Sequence, residues 1–372
     1  MNILMHCVYY PPEIGGLESH VHHLCRALVE HDHTVSVITS HSIPATPRYE
    51  VMDGVHVHRT RLPAKNTLGW IAHALGSLPA SVTLARDADI LHAQAFQSIP
   101  PLFVAKKRTG IPLVSTWHTS HFLRLAQSPA IGPGLGKLVE ASDVNLAASA
   151  EIAVTAERLA PGIRVRSVTN GVDTSVFKPT ELNLPETIVG RRRLIVPRRL
   201  FKKNGVEFAI QALPMIAERH DVEMLIIGDG PERENLASIA AGLGVKERVI
   251  FLGARPHTEM PALLSSSDLA IFPSLMEATS VAALECMACE IPVAASRVGG
   301  LPEIVDTTVG GLFDPADAKG LALIVGQMLD DPGLSMKGKA ARARVLLRWS
   351  NERLTQYHIE LYEEILGGWV RR

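Results

Sequence analysis

Cysteine is scarce in this chain of 372 residues: there are four, and only Cys286 and Cys289 stand close together. So few leave no disulfide framework and point to a reducing compartment. No second pair stands at a zinc-site spacing from Cys286 and Cys289, so small buried side chains explain them better than a metal or redox centre. Charge of one sign is missing too. The formal net charge is −1 and neither half is a basic arm, so nucleic acid is not an expected partner. No uncharged apolar run reaches the roughly 20 residues needed to span a bilayer. LGWIAHALGSLPASVTLA (68–85) comes nearest, and Gly76 and Pro79 break its helical period, so a core or interface helix is expected ahead of a membrane-docking face. The first apolar run stops at Tyr9, Tyr10 and two prolines, too interrupted for a secretion signal. A cytoplasmic protein is expected, at most peripheral at the cytoplasmic face of the membrane.

What is present is an interior for two domains, with 47% of residues hydrophobic and 20% charged. Strand-like runs alternate with helical patterns, the mark of parallel sheets covered by helices. ILMHCV, TVSVIT, VHVHRT, DILHAQ, PLVSTWH and VNLAAS form one set; LIVPRRL, EMLIIGDG, VIFLG, DLAIFPS, IPVAAS and GGLFD form the second. Asn-Gly and two prolines in the segment between them mark a hinge. The expected fold class is therefore α/β, with two doubly wound Rossmann-like domains facing across a cleft. Domain one is 1–175, joined by a C-terminal amphipathic helix at about 352–372, and domain two is 176–351. The helix LESHVHHLCRALVEH places Leu17, Val21, Leu24 and Leu28 on one stripe, with histidines and Arg26 around the rest. His20 and His23 share a helical face, but no carboxylate and third histidine complete a metal site, so surface or cleft histidines are expected.

Ligands of open α/β sheets sit at the carboxyl ends of strands, where several candidates fall. Gly15 and Gly16 follow the first strand and precede a helix beginning near Leu17. Paired glycines let a ligand approach the backbone and a helix start suits an anion, although a tight turn explains the pair equally well. In IIGDGPERE, Gly228 and Gly230 follow a strand, but Arg233 replaces the third glycine of a dinucleotide fingerprint, which sets NAD aside. VPRRLFKKNG sets Arg198 and Lys203 across a strand end, with Arg199 and Lys202 beside them. Such cations can neutralise a diphosphate, against the plainer reading of a solvated basic loop.

EATSVAALE (277–285) brackets a helix start with two carboxylates. Free amides near Ala278 to Ser280 form an anion site, with Thr279 or Ser280 as the cap. Glu277, repelled by the same anion, would face a neutral, hydroxyl-rich group, because an ionised carboxylate only accepts hydrogen bonds. Glu285 stands eight residues on, roughly 12 Å along a helix rising 1.5 Å per residue. Two hydroxyl-binding carboxylates with a phosphate site between them suit a nucleotide sugar, with Glu277 on the sugar and Glu285 on the ribose.

At this point the chain resembles the retaining glycosyltransferases of the GT-B fold, family 4. Their E-x7-E motif is present as Glu277 to Glu285 and runs on into LECMACEIPVAASRVGGLPEIV; PPEIGG, STWHTSH, TNGVDTSVFKP, the Arg198 and Lys203 pair and IIGDGPERENL match too. Nearly the whole chain is covered, including the final helix, which in the family packs on the first domain. The resemblance implies that Arg198 and Lys203 stabilise the leaving diphosphate, with Arg199 the alternative arginine. It implies that Glu277 and the amides of Ala278, Thr279 and Ser280 hold the donor sugar and distal phosphate, and that Glu285 holds the ribose. His118, which alone would read as a core histidine, then approaches the transferred sugar, while Gly15 and Gly16 admit donor phosphate and acceptor. No metal or other cofactor is implied, since side-chain cations serve instead. Two positions depart from the family: Ala278-Thr279-Ser280 replaces a frequent Gly-Phe-Gly, and Glu290 stands where glycine is usual, at a cost of roughly 1 kcal/mol if left-handed. The implied partners are a nucleotide-sugar donor and a sugar, lipid or small-molecule acceptor. A nucleotide-sugar epimerase and a silent nucleotide-sugar binding protein are the alternatives.

Overall fold

Two parallel sheets, each built from apolar runs separated by helices, make up the computed structural model, which describes residues 1–13, 15–118, 120–180, 190–277 and 280–368. The chain divides into two compact units: Met1–Asn170 with the C-terminal segment from Asn351, and Gly171–Ser350. The division falls a few residues before the boundary read from the sequence.

Unit 1 holds β1 (Asn2–His6), β2 (Thr34–His41), β3 (Tyr49–Met52), β4 (Val55–Arg61), β5 (Ile90–Gln94), β6 (Leu113–Trp117), β7 (Val144–Ala147) and β8 (Val165–Ser167) in the order β3-β4-β2-β1-β5-β6-β7-β8. All pairings are parallel except β3 with β4. The strand order reverses between β1 and β5. The Gly16–Glu30 helix buries Val21, Leu24 and Leu28 against this sheet, and Ile359, Leu361 and Tyr362 of the C-terminal helix (Asn351–Gly368) join the same core. Of the surface or cleft positions expected for these histidines, His20 takes no surface one: it is buried, 7% exposed.

Unit 2 holds β9 (Arg192–Pro197), β10 (Val222–Ile227), β11 (Val249–Gly253), β12 (Leu269–Phe272), β13 (Val293–Ser296) and β14 (Gly310–Phe313), all parallel, in the order β11-β10-β9-β12-β13-β14. Alternate residues feed two cores, because successive side chains of a strand point to opposite faces. Leu194 and Val196 join Leu213 and Val325 on one side, while Ile195 joins Leu284 and Val345 on the other. Cys286 and Cys289 belong to the second core as free, buried thiols. Burial pushes the Cys289 thiol up to about 12 and Cys286 up as well.

One element, expected as a core or interface helix with a broken period, departs from part of that reading. Gly76 and Pro79 do not break the 68–85 segment, which forms a single helix, Thr67–Leu84, capped by Asn66 Oδ1 accepting from the Gly69 amide. It is not a core helix. Its buried positions are Gly69, His73, Ser77 and Ser81, while Leu68, Ile71 and Leu75 lie exposed.

Candidate active site

In unit 2 the strand order reverses between β9 and β12, and the residues that follow these two strands meet there. Arg198, directly after β9, directs Nη2 at Glu277 Oε2 (2.5 Å), Ser274 Oγ (2.9 Å) and Asn204 Oδ1 (2.9 Å). The arginine and glutamate side chains are only 11% and 13% exposed. Removing one partner of so enclosed a pair strands the other charge, at a cost of about 3–5 kcal/mol. Arg198 Nε is buried with no hydrogen-bond partner. Asn204 Nδ2 donates to the Arg199 carbonyl at 2.5 Å, and the Leu275 and Met276 amides both bond the Lys203 carbonyl, so the two loops are tied together. The Lys203 side chain is exposed; Arg199 is exposed too and lies over the Phe201 ring at 5.9 Å.

Glycine permits the convergence. Gly299 has φ 53°, and a Cβ there would stand 1.8 Å from the Glu277 carbonyl oxygen. Gly228, with φ 138°, would carry a Cβ only 2.2 Å from the Arg198 carbonyl oxygen. The glycines of IIGDG therefore serve the packing of one loop on another. Ala278 and Thr279 lie outside the described residues. Ser280 is the N-cap of the Val281–Ala288 helix, its Oγ accepting from the Ala283 amide at 3.4 Å. Glu285, on that helix and 14% exposed, accepts from His257 Nε2 at 3.3 Å; this bond holds the His257 imidazole above its usual pKa, with burial opposing it. Glu290, just past the helix, has φ 63°, the left-handed conformation in which glycine is usual.

In unit 1, Gly16 begins its helix and Gly15, its N-cap, precedes it in extended backbone and supplies no side-chain cap. A Cβ on Gly16 would meet nothing within 4 Å. A Cβ on Gly15 would stand 2.2 Å from a Glu18 carboxylate oxygen. His118, after β6, is 3% exposed, and burial, with a smaller contribution from His358, lowers its pKa to about 3. Its Nε2 lies 2.8 Å from Gln94 Oε1. Gln94 Nε2 donates toward Met5 Sδ (3.7 Å) and His92 Nε2 (3.4 Å), which leaves Oε1 as the acceptor and puts the His118 proton on Nε2. His118 Nδ1 is then a buried acceptor without a partner, in a ring 5.3 Å from that of His20. The chain of contacts continues from His92 Nδ1 to Tyr362 Oη (2.6 Å). Ala95, next to Gln94, has φ 75°, a strain of order 1–3 kcal/mol that tends to mark functional sites.

Residues 14–176 match the family described as Glycosyltransferase Family 4, and residues 184–344 match Glycosyl transferases group 1. Glycogen synthase of Mycobacterium tuberculosis is 31% identical over 380 residues, covering 93% of this chain and 90% of that one. The chain belongs to glycosyltransferase family 4. Among solved structures, sucrose-phosphate synthase from Thermosynechococcus elongatus superposes with a TM-score of 0.85 at 21% identity, covering 99% of this chain and all of the other. The Anabaena protein HepE, solved in complex with UDP-glucose, gives 0.74 at 19% identity, with 98% of this chain covered and 100% of the other. The glycosyltransferase thus has the GT-B fold.

Of the residues singled out in the sequence of this glycosyltransferase, Arg198, Glu277 and Ser280 fall together around one switch point. Glu285 is held by His257, and Lys203 contributes its carbonyl to the loop while its ammonium stays in solvent. His118, Gly15 and Gly16 belong to unit 1. The sequence reading missed Asn204, Ser274, His257, Gln94 and His92. Gly299 carried a signal, a Gly-Gly pair following a strand; the others carry none, since each acts through a partner distant in sequence. Among the described residues no group of three or more His, Cys, Asp or Glu is placed to hold a metal ion.

Proposed function

We propose that this glycosyltransferase takes its sugar from a nucleotide-diphosphate sugar and delivers it to an acceptor hydroxyl with retention at the anomeric carbon. The bond from that carbon to the phosphate oxygen breaks, the acceptor oxygen bonds on the same face, and the acceptor proton passes to the departing phosphate. The observation that carries this reading is the Arg198–Glu277 pair at the switch point of unit 2, beside the Ser280-capped helix start. Open α/β sheets bind their ligands at such points. Arg198, with its Nε donor still unpartnered, and the exposed Lys203 take the charge developing on the diphosphate. Amides around Ala278 to Ser280 hold the distal phosphate, Glu277 the sugar hydroxyls and Glu285 the ribose. His118 Nδ1 accepts from a hydroxyl of the transferred sugar, and Gly15 and Gly16 leave room for phosphate and acceptor at the backbone. No metal takes part, because side-chain cations carry the charge.

The test begins with thermal stability across UDP-, GDP-, ADP- and TDP-sugars, starting from UDP-sugars because the Anabaena neighbour was solved with UDP-glucose. A ligand at 100 times its dissociation constant adds about 2.7 kcal/mol, so one nucleotide family should raise the melting temperature. With that donor, nucleotide release should depend on an acceptor, persist in EDTA and give an α-linked product from an α-linked donor. Glu277→Gln should cut turnover by about 10²–10³ while the nucleotide still stabilises the protein. Turnover of the variant within tenfold of the parent, or an inverted product, would overturn the reading.

A further inference from the structure

A helix on the surface of a folded unit ordinarily turns its apolar stripe inward. The Thr67–Leu84 helix does the reverse. Gly69, His73, Ser77 and Ser81 point into unit 1, where His73 Nδ1 lies 3.1 Å from Thr60 Oγ1 and Ser77 Oγ lies 3.0 Å from His6 Nε2. The outward stripe carries Leu68, Ile71 and Leu75, which are 77%, 53% and 62% exposed, with Ala72 and Pro79 exposed alongside them. Spacings of three and four place these five on one face. The inward stripe is fitted to its place: a Cβ at Gly69 would stand 1.8 Å from the Ala64 carbonyl oxygen, and Ser77 Oγ and His73 Nδ1 are bonded within unit 1.

The charged groups at the ends of this face are net positive, Arg61, Lys65 and Arg86 against Glu13, which pairs with Lys65, and Asp87, which follows Arg86. No Asp or Glu occurs between Asp53 and Asp87, and the helix itself carries no charge. Arg61 and Lys65 stand exposed before its first turn and Arg86 after its last; Lys65 is bonded to Glu13 at 2.7 Å. A second copy of the chain seated here in parallel would set Arg61 and Lys65 against their own counterparts. An anionic bilayer meets both features, since its acyl region takes the leucines and isoleucine and its headgroups take the cations.

We propose that the outward face of the Thr67–Leu84 helix docks unit 1 onto an anionic lipid bilayer, with the helix lying in the plane of the interface. The helix does not cross, because its inward stripe is bound within unit 1. Trp70 Nε1 donates to Tyr9 Oη at 2.9 Å, which ties the start of the helix to the loop leading from β1 to Gly15 and Gly16. Docking thereby sets that loop beside a lipid surface. The inference stands apart from the donor assignment.

Co-sedimentation of the full chain with vesicles tests it, using phosphatidylcholine alone and phosphatidylcholine mixed equally with phosphatidylglycerol. The protein should sediment with the anionic vesicles, about fivefold more weakly for each cation lost, and release in high salt. Leu75→Glu and Ile71→Ser should each cut binding by about tenfold or more with melting temperature unchanged, because both side chains are exposed. Arg61→Glu with Arg86→Glu should remove the preference for anionic lipid. Failure to sediment with the anionic vesicles would sink the proposal, as would full binding by Leu75→Glu. A dimer in solution that Leu75→Glu converts to monomer would assign the face to a second copy and overturn it equally.

Discussion

His257 grips Glu285 through one hydrogen bond of 3.3 Å, and the two groups titrate against each other. The bond raises the imidazole pKa above its ordinary value, burial opposes it, and the charges of Glu285 and Asp173 add to the rise. The protonated grip is therefore present below the raised pKa and lost as pH climbs through it. In the donor site proposed above, ribose hydroxyls bonding Glu285 compete with that grip, so nucleotide affinity should strengthen with rising pH, by at most about tenfold per unit. Calorimetric titration between about pH 6 and pH 8.5 reads the slope, and His257→Asn should flatten it. A pH-independent affinity in the parent protein would move the ribose away from Glu285. Phe177 packs edge-on against the His257 ring at 4.9 Å.

At the scale of elements, the C-terminal helix does more than close a core. Tyr362 is fully buried and its hydroxyl lies 2.6 Å from His92 Nδ1, the far end of the contacts that orient Gln94 and so His118. Tyr362→Phe leaves that ring nitrogen unpaired in a dry site, and we expect a loss of about 1–3 kcal/mol in urea unfolding. A change under about 0.5 kcal/mol, no larger than an ordinary surface substitution, would show that the hydroxyl is dispensable. This contact joins residues 270 apart, and no local pattern in the sequence announces it. The patterns that were legible are the local ones. Strands with a buried face, from ILMHCV to GGLFD, stand where apolar runs placed them, whereas β3 has no buried residue and β8 only three residues, too little periodicity to see. The Glu277 and Arg198 neighbourhood was legible because strand ends and a helix cap are local signals. Asn204 and Gln94 were not, because an amide acts only through what it faces. The Thr67–Leu84 helix shows the limit from another side: hydropathy tells which stripe is apolar, not which stripe faces inward.

Across the whole molecule, titratable burial is lopsided. Of the 16 histidines, all but His220 and His257 belong to unit 1. His6, His20, His73, His92, His118 and His358 there are all held below their ordinary pKa, with burial the largest cause in each; His73 and His358 fall to about 4 and His118 to about 3. The sign follows from linkage. Below about pH 6.5 the unfolded chain binds protons that the folded unit refuses, so stability declines as pH falls toward the depressed values. Each of the three groups with a stated value removes about 2 kcal/mol by pH 5, together enough to threaten a unit of ordinary stability. Unit 2 has no such group, since His257 is shifted upward. Acid should therefore open unit 1 first. Hydrogen exchange at about pH 5 and pH 7.5, corrected for intrinsic rates, should show protection lost from β1, β5, β6 and the C-terminal helix while β9, β10 and β12 keep theirs. Equal loss in both units would contradict the assignment. Because Tyr362→Phe weakens the same buried network, it should move the acid transition of unit 1 toward neutral pH and leave the protection of unit 2 where it was.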